Sequence, residues 1–281
     1  MALPDGFDLQ EFIDRVLAED LGLQGDVTSR ATIDPQTRFS AVMNARQPIV
    51  VAGIDIAAAF FKALDASIAI EPIADDGEHL DSGAALMRLC GNARAMLAAE
   101  RSALNTLQHL SGIATMARQY VDAIEGTGAI LLDTRKTIPG LRNLEKFAAR
   151  MGGAHNHRMR LDDGVLIKDN HVALCGGVAE AVRRAKAANT GLQVQVEVDE
   201  LEQIEPALSA GADRLLLDNM DAGRLRTAVE IVAGRVPTEA SGGITLQTIR
   251  PIAETGVNFI SLGRITQSAP AVDIGLDYFP A

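Results

Sequence analysis

Charged residues follow a series of apolar runs in the second half of the sequence, and these residues are the first candidates for chemistry. Four runs end at a charged residue: Asp133, Lys168, Glu197 and Asp218. The runs themselves occupy residues 129–132, 165–167, 194–196 and 215–217. A single Asp or Lys after a strand is usually a helix cap or a solvated loop residue. Repetition after successive strands instead predicts one shared polar site, because the ends of parallel strands lie together.

Two later predicted strands, at 237–240 and 259–262, lead into segments that contain glycine. The first segment is Ser241-Gly242-Gly243, for which we expect a helix to begin at 244–246, and the second is Ser261-Leu262-Gly263-Arg264. Glycine allows close backbone approach, and free N–H groups at a helix start bind phosphate oxygens. These loops after the last two strands are typical of barrel phosphate sites.

Positive charge is concentrated in one segment of an acidic chain. The whole sequence has 26 Lys and Arg against 37 Asp and Glu, a formal net charge of −11. Residues 133–171 nevertheless hold eight basic and five acidic residues, together with three of the five histidines. Arg135-Lys136 and His157-Arg158 lie there, and Arg can bind a carboxylate or phosphate through two parallel hydrogen bonds. The segment predicts a pocket for a small, highly anionic ligand.

Composition excludes several other classes of protein. The 281 residues are 47% hydrophobic and 22% charged, which is ordinary for a folded globular chain. Two cysteines, Cys90 and Cys175, are too few for a disulfide framework and favour a reducing, cytoplasmic location. The acidic balance argues against nucleic acid as a partner. We find neither a signal peptide nor a membrane-spanning run, so no membrane association is expected.

The first hundred residues have a mixed α+β pattern. Helical periodicity covers 9–21 and 56–64, and short strands are expected at 38–44, 48–54, 68–73 and 85–89. Residues 93–120 predict a long helix, with a break at Ser111-Gly112. From residue 128 onward, apolar runs alternate with helices, and the later strand ends, at 197, 218, 241 and 262, are 21–23 residues apart, the spacing of βα units with parallel strands.

Either an open doubly wound sheet or a closed barrel could produce this alternation of strands and helices. We favour the barrel, because candidate residues follow so many successive strands, whereas an open sheet brings together only those at its switch point. No glycine-rich dinucleotide or P-loop motif supports the alternative. The domains are placed at 1–114 and 115–281, and the last 15 or so residues are expected to return to the first domain.

Motifs across nearly the whole chain resemble those of the quinolinate phosphoribosyltransferase family. The segments that carry the resemblance are EDLGLQGDVTS, AAERSALNTLQHLSGIAT, DTRKTIPGLRNLEKFAARMGGAHNHRM, DDGVLIKDNHV, VQVEVDELEQ, RLLLDNM, EASGGI and SLGRITQSAPAVDIGLDY. The resemblance implies α/β architecture: an N-terminal α+β, sandwich-like domain followed by an incomplete α/β, TIM-like barrel. It also implies a homodimer with shared active sites and is compatible with a hexamer of dimers.

The same resemblance implies an enzyme of NAD biosynthesis and assigns roles to individual residues. The enzyme implied by the resemblance would join quinolinate to phosphoribosyl pyrophosphate with Mg²⁺, giving nicotinate mononucleotide, pyrophosphate and CO₂. Quinolinate would be bound by Arg101, Arg135, His157, Arg158 and Lys168. The catalytic residues would be Lys136 near the phosphoribosyl donor, Lys168, and the ribose and Mg²⁺ ligands Glu197 and Asp218. The substrate-binding loops would contribute Ser241, Gly242, Gly243, Ser261 and Gly263.

Three other functions fit the sequence less well than this one. Arg264 and Gln267 depart from the family's usual small residue and His, which affects the expected handling of the 5′-phosphate. A paralogous molybdenum-associated group shares the fold, but the intact Arg-Lys, His-Arg and Lys-Asp-Asn-His segments argue against it. A barrel aldolase with Lys168 as Schiff base would leave the Arg101, Arg135 and Arg158 cluster without a role. A phosphate-binding regulatory module would bind ligand without turnover.

Overall fold

The computed structural model describes residues 6–278, and the strands in this range form three sheets. The strands are β1 (Arg38–Ala45), β2 (Ile49–Val50), β3 (Ala69–Pro72), β4 (His79–Leu80), β5 (Ala85–Asn92), β6 (Ile130–Leu132), β7 (Val165–Ile167), β8 (Val194–Val198), β9 (Arg214–Asp218), β10 (Thr238–Ser241), β11 (Phe259–Ser261) and β12 (Ile274–Tyr278). The helices are α1 (Leu9–Leu21), α2 (Val27–Thr32), α3 (Ile54–Leu64), α4 (Ala93–Ala123), α5 (Arg142–Met151), α6 (Asp169–Cys175), α7 (Val178–Ala187), α8 (Ile204–Ser209), α9 (Ala222–Val232), α10 (Ile249–Ala253) and α11 (Arg264–Gln267). A short 3₁₀ helix covers Leu201–Gln203.

Contacts divide the described chain into two units. One unit contains residues 6–117, 143–153 and 268–278, and the other contains 118–142 and 154–267. Two consecutive ranges were expected from the sequence, with the final residues returning to the first. The first unit does include β12, and it also includes residues 143–153, which cover nearly all of α5.

The second unit is built on a six-stranded parallel sheet in the order β6-β11-β10-β9-β8-β7. All five residues of β8 are buried, and so are Leu215, Leu216 and Leu217 in β9. Coverage of a strand on both faces favours a continuous apolar run such as residues 215–217, whereas β8 also buries the polar residues Gln195 and Glu197. No pairing joins β6 to β7 within the described residues, so the barrel is incomplete, as the resemblance implied.

Helix α9 of the second unit buries one apolar stripe. In α9 the buried residues Leu225, Ala228 and Val232 recur at spacings of three and four, which places them on a single face. Asp221 caps this helix by accepting a hydrogen bond from the Arg224 backbone N–H at 2.9 Å.

The first unit has an antiparallel sheet in the order β12-β1-β5-β3 and a two-stranded sheet of β2 and β4. β1 alternates intermediate and buried residues, with Ala41, Met43 and Ala45 on the buried face. Helices α1 and α3 pack together through Phe12 and Phe60, whose ring centroids lie 6.0 Å apart in an edge-on arrangement. The expected strand over 48–54 is limited to Ile49–Val50.

The predicted break at Ser111-Gly112 is wrong, because α4 runs without interruption over 31 residues. Gly112 is needed for packing rather than for a turn. A Cβ at this position would collide with the Pro270 carbonyl and lie 3.2 Å from Ala271 Cα. Despite the length of α4, no described helix is long and apolar enough to cross a membrane.

The predicted helix start after Gly243 is also wrong. Residues 246–248 form a turn, held where the Thr245 backbone N–H donates to Thr248 Oγ1 at 2.9 Å, and α10 begins only at Ile249. The loop after β11 leads directly into the short helix α11.

Candidate active site

A cavity of about 600 Å³ lies in the second unit at the carboxyl ends of its strands. Eleven of the residues predicted from the sequence line it: Arg135, Lys136, His157, Arg158, Lys168, Glu197, Asp218, Ser241, Gly242, Gly243 and Ser261. The other lining residues are Thr134, Leu166, Asp169, Leu216, Asn219 and Glu239. Its volume is typical of a small-molecule site.

Two predicted residues, Gly263 and Arg101, are not among the lining residues of the described chain. Gly263 instead supports Lys136, since a Cβ at Gly263 would lie 2.5 Å from Lys136 Cδ. The Lys136 carbonyl also accepts a hydrogen bond from Thr266 Oγ1 at 2.7 Å. Arg101 is exposed on α4, in the first unit.

Arg135 and Arg158 give the cavity a cationic wall. Burial lowers the pKa of Arg158, and the nearby charge of Arg135 lowers it further. Arg135 Nε is buried and has no hydrogen-bond partner among residues 6–278. Arg158 Nη1 donates to the Gly164 carbonyl at 2.8 Å, which holds its guanidinium in place. Two guanidinium groups that repel each other are stabilised when an anion binds between them.

Asp133 holds the loop that carries the histidine of the site. It is fully buried after β6, and its Oδ1 accepts a hydrogen bond from the His157 backbone N–H at 2.8 Å. The Asn156 side-chain amide donates to the other carboxylate oxygen of Asp133. An isolated bridge pairs Leu132 with His155 in parallel. His155 therefore adds a single parallel bridge at the edge of the sheet beside β6.

Lys168 and Glu197 meet at the ends of β7 and β8. The Lys168 ammonium forms an ion pair with the Glu197 carboxylate, which is only 7% exposed. Glu197 also accepts a longer hydrogen bond, 3.4 Å, from the Asp169 backbone N–H. Lys168 caps α6, and its own backbone N–H donates to His171 Nδ1 at 3.0 Å. The ion pair holds the ammonium of Lys168, which lines the cavity.

Three carboxylates at the strand ends could hold a metal ion. Glu197, Asp199 and Asp218 each offer an oxygen, and these oxygens lie within 4.8 Å of one another. Burial and the neighbouring Glu197 raise the pKa of Asp218, and the same two causes raise the pKa of Asp199. A divalent cation would relieve this repulsion, and oxygen donors suit Mg²⁺. Sequence reasoning missed Asp199, although it lies one residue beyond the β8 strand.

Asn219 connects the end of β9 to the end of β10 through hydrogen bonds. Its backbone is left-handed, with φ of 54°, and its side-chain amide donates to Asp218 Oδ2 at 2.5 Å. The Asn219 backbone N–H donates to the Ser241 carbonyl at 2.9 Å. Gly242 has φ of 97°, and a Cβ there would lie 2.9 Å from Asn219 N. Close backbone approach therefore requires glycine at 242.

Glu239 is the main residue that sequence reasoning missed. It lies within β10, is fully buried, and forms an ion pair with Arg214 of β9 at 2.6 Å. Burial by itself would raise the pKa of Glu239. The hydrogen bond and attraction of His157, the charge of Arg214 and the Ser261 hydroxyl outweigh it and lower the pKa to about 2. A charged residue inside a predicted buried strand was the available signal, since a buried charge needs a partner.

Family models match almost all of the chain. The model described as "Quinolinate phosphoribosyl transferase, N-terminal domain" matches residues 26–111. The model described as "Quinolinate phosphoribosyl transferase, C-terminal domain" matches residues 113–277, which include every residue that lines the cavity.

Similar proteins and solved structures agree with these models. The chain is 42% identical over 276 residues to nicotinate-nucleotide pyrophosphorylase (carboxylating) from Mycobacterium leprae, covering 95% of this chain and 96% of the relative. The solved nicotinate-nucleotide pyrophosphorylase from Francisella tularensis is similar with a TM-score of 0.92 and 39% identity, over 96% of each chain. The one from Ehrlichia chaffeensis gives 0.94 and 38%, over 98% of this chain and 100% of the other. The chain therefore belongs to the quinolinate phosphoribosyl transferase family.

Proposed function

We propose that this protein transfers the phosphoribosyl group of phosphoribosyl pyrophosphate to quinolinate and releases pyrophosphate and CO₂, a step of NAD biosynthesis. The observation that carries the proposal is the wall formed by Arg135 and Arg158. These guanidinium groups repel each other, and Arg135 Nε has no partner among the described residues. Quinolinate brings two adjacent carboxylates, which match a wall of this kind.

Quinolinate is placed between the cations of the cavity. Arg135 and Arg158 bind its carboxylates through their planar guanidinium groups, His157 offers a ring N–H, and Lys168 adds a point charge. Binding a dianion in this way offsets the mutual repulsion of the cations. It also fixes the pyridine ring with its nitrogen toward the acidic side of the cavity.

The donor is placed against the carboxylates and the glycine loops. Glu197 and Asp218 bind the ribose hydroxyls, Lys136 lies near the pyrophosphate, and the loops at 241–243 and 261–263 bind phosphate oxygens. Because cleavage leaves positive character on C1′ of the ribose, the Glu197 and Asp218 carboxylates stabilise the transition state electrostatically.

Mg²⁺ fits this donor set. Glu197 and Asp218 would hold it, and the Asp199 carboxylate within the same 4.8 Å group gives a third oxygen. When bound, Mg²⁺ neutralises charge on the departing pyrophosphate. Three carboxylates without a cation would instead repel the anionic donor, so the acidic cluster and the substrate's charge both favour a metal here.

The reaction then proceeds in two bond exchanges. The quinolinate nitrogen forms a bond to C1′ while the bond from C1′ to pyrophosphate breaks. The ring nitrogen becomes cationic, so it stabilises the carbanion left when the adjacent carboxylate departs as CO₂. That carbon then takes up a proton, which gives nicotinate mononucleotide. No further cofactor is required for decarboxylation.

A homodimer with shared active sites completes the proposal. Arg101 is exposed on α4 and does not line the cavity of the described chain. A two-fold axis would allow Arg101 of one protomer to reach the cavity of its partner, and the relation would hold in both directions.

The test is product formation from quinolinate, phosphoribosyl pyrophosphate and Mg²⁺, with CO₂ release followed from carboxyl-labelled quinolinate. We expect kcat/KM for nicotinate, which lacks one carboxylate, to be lower by roughly 30-fold to several thousand-fold, because buried cations lose a partner. Arg158→Ala should lose at least about 100-fold with quinolinate. The matched control is Arg160→Ala, which removes an exposed arginine paired with Asp162 at 2.8 Å. No nicotinate mononucleotide, or equal rates with nicotinate, would refute the proposal.

A further inference from the structure

Two loops carry the cationic wall, and one arginine is hydrogen-bonded to both of them. The first loop, residues 133–141, holds Arg135, and the second, residues 155–164, holds Arg158. Arg142 is the first residue of α5 and is not among the lining residues of the cavity in the described chain. Its Nε donates to Thr137 Oγ1 in the first loop, and its Nη1 donates to the Met159 carbonyl in the second, both at 3.2 Å. The Arg142 guanidinium therefore links the two loops.

Thr137 extends this link to the backbone of Arg135. Because the Thr137 hydroxyl oxygen accepts from Arg142, its own hydrogen is left to donate, and it points to the Arg135 carbonyl, 3.5 Å away. The bond is long, but it joins Arg142 to the residue that forms one half of the wall.

Met159 extends the link to Arg158 on the other side. While its carbonyl accepts from Arg142, its backbone N–H donates to Asp163 Oδ2 at 2.6 Å. The Arg158 guanidinium is held within the same loop, since its Nη1 donates to the Gly164 carbonyl at 2.8 Å. The backbone that follows Arg158 is thus fixed from both sides of Met159.

The helix itself gives no reason for an arginine at position 142. A cation in the first turn faces the positive end of the helix dipole, which is the unfavourable end for it. The wall does give a reason. Burial lowers the pKa of Arg158, and the charge of Arg135 lowers it further, so the two guanidinium groups repel each other. Their loops need a connection that opposes this repulsion before a ligand binds.

We propose that Arg142 is a positioning residue, which holds Arg135 and Arg158 at the separation that two adjacent carboxylates require. The inference rests on the proposed function and specifies how quinolinate is distinguished from a ligand with one carboxylate. A monocarboxylate can pair with either guanidinium, whereas a dicarboxylate needs both at a fixed separation. Loss of the link should therefore weaken quinolinate binding far more than nicotinate binding.

Calorimetry with quinolinate and with nicotinate, in the absence of the donor, tests this difference. In Arg142→Ala we expect the Kd for quinolinate to rise about 10- to 100-fold and the Kd for nicotinate by less than about threefold. The matched control is Arg160→Ala, because the exposed Arg160 side chain pairs with Asp162 inside its own loop and links nothing to the first loop. It should bind both ligands as the wild type does. Equal weakening of the two ligands in Arg142→Ala would show a general structural role and overturn the proposal.

Arg142→Lys separates the link from the charge. Lysine keeps the positive charge but offers a single nitrogen, whereas the two acceptors lie on different nitrogens of the guanidinium. We expect this variant to bind quinolinate at least about fivefold more weakly than wild type. Wild-type affinity in Arg142→Lys would show that charge alone matters and would overturn the proposal.

Thr137→Val breaks one half of the link without changing any charge. It should raise the Kd for quinolinate about 3- to 10-fold, and it should add less than about twofold when combined with Arg142→Ala. Wild-type affinity in Thr137→Val, or additive losses in the double variant, would overturn the proposal. The single variant decides the question even if Arg142→Ala does not fold.

The binding measurements also separate this proposal from the proposed reaction. A wild-type protein that binds quinolinate without turnover, and loses this binding in Arg142→Ala, would refute the reaction and support the role of Arg142. A wild-type protein that forms nicotinate mononucleotide, with Arg142→Ala still binding quinolinate at wild-type affinity, would overturn the role of Arg142 alone.

Discussion

The ammonium of Lys168 and the buried carboxylate of Glu197 form an ion pair across the ends of two neighbouring strands. Through this pair the cationic and the acidic sides of the cavity are in direct contact. Substitution of Lys168 therefore leaves the Glu197 carboxylate without its counter-ion, and substitution of Glu197 does the same to Lys168.

Removing the Lys168 charge should destabilise the fold. In Lys168→Met, Glu197 remains 7% exposed without its counter-ion, whereas Lys168 itself is 39% exposed and partly solvated. We expect a loss of about 1–3 kcal/mol in the free energy of unfolding, below the range for a fully buried pair. Urea titration measures it. The double variant Lys168→Met/Glu197→Gln should recover most of the loss, and additive losses would contradict a direct pair.

Asp218 offers a cleaner test of the acidic side than Glu197, because it does not form the ion pair with Lys168. We expect Asp218→Asn to lower kcat by at least about 100-fold, since the substitution removes a charge from the proposed ribose and Mg²⁺ site. Quinolinate affinity, measured by calorimetry without the donor, should change less than about threefold. Glu197→Ala should also reduce turnover more than affinity, but with a larger effect on affinity. A collapse of quinolinate affinity with normal turnover in Asp218→Asn would refute the assignment.

The glycine loop after β10 allows a matched pair of substitutions. Gly242→Ala places a Cβ 2.9 Å from Asn219 N at a φ of 97°, so we expect a loss of about 2–4 kcal/mol together with reduced activity. Gly243→Ala has a φ of 61° and meets no described atom within 4 Å, so its expected loss is only about 1 kcal/mol. Chemical unfolding of both proteins checks the order, and equal losses would show that contact with Asn219 is unimportant.

Acid should weaken the fold through Glu239. Its pKa is about 2 in the folded protein against an ordinary 4.5, so the ionised form is favoured by folding. The resulting stability, about 3 kcal/mol, is present above pH 4.5 and is lost as the pH falls toward 2. Unfolding free energies of wild type and Glu239→Gln, measured between pH 5 and 2, should converge by this amount. If the unfolding free energies of the two proteins changed with pH in parallel, ionisation of Glu239 would make no contribution to stability.

Mixing two inactive variants tests whether Arg101 acts on the partner's cavity. Arg101→Ala and Lys136→Ala, unfolded and reassembled together, should give about half mixed dimers, each with one complete site. Activity should return to roughly a quarter of wild type. The matched control mixes Arg135→Ala with Lys136→Ala, whose residues lie on one loop, and it should stay inactive. Failure of the first mixture would contradict a role for Arg101 in the partner's cavity.

The sequence predicted the positions of the parallel strands well, because a short apolar run followed by a charged residue indicates a buried strand and its end. Lys168, Glu197 and Asp218 could be found as the first charged residues after such runs, and they line one cavity. Glu239 could not be found in this way, because it lies inside a run and its partner Arg214 begins the neighbouring strand. Mg²⁺, the dimer and the cytoplasmic location stay predictions.

The two incorrect local predictions share a cause. Glycine at 112 indicated a break, yet its role is set by Pro270, more than 150 residues away in sequence. Glycine at 243 indicated a helix start, but Thr245 and Thr248 form a turn first. Local composition cannot distinguish a glycine required by a distant backbone from one required by a turn.

The pairing of the strands also sets the order in which the chain can fold. β6 finds its parallel partner in β11, about 130 residues later, and β1 pairs with β12 across more than 200 residues. Contacts of such high sequence separation form slowly, because a long loop must close before the pairing stabilises it. During synthesis, the edges of both sheets remain open until residues 259–278 have left the ribosome. The nascent protein is thus most exposed to misassembly just before translation of these final strands, when chaperone protection would matter most.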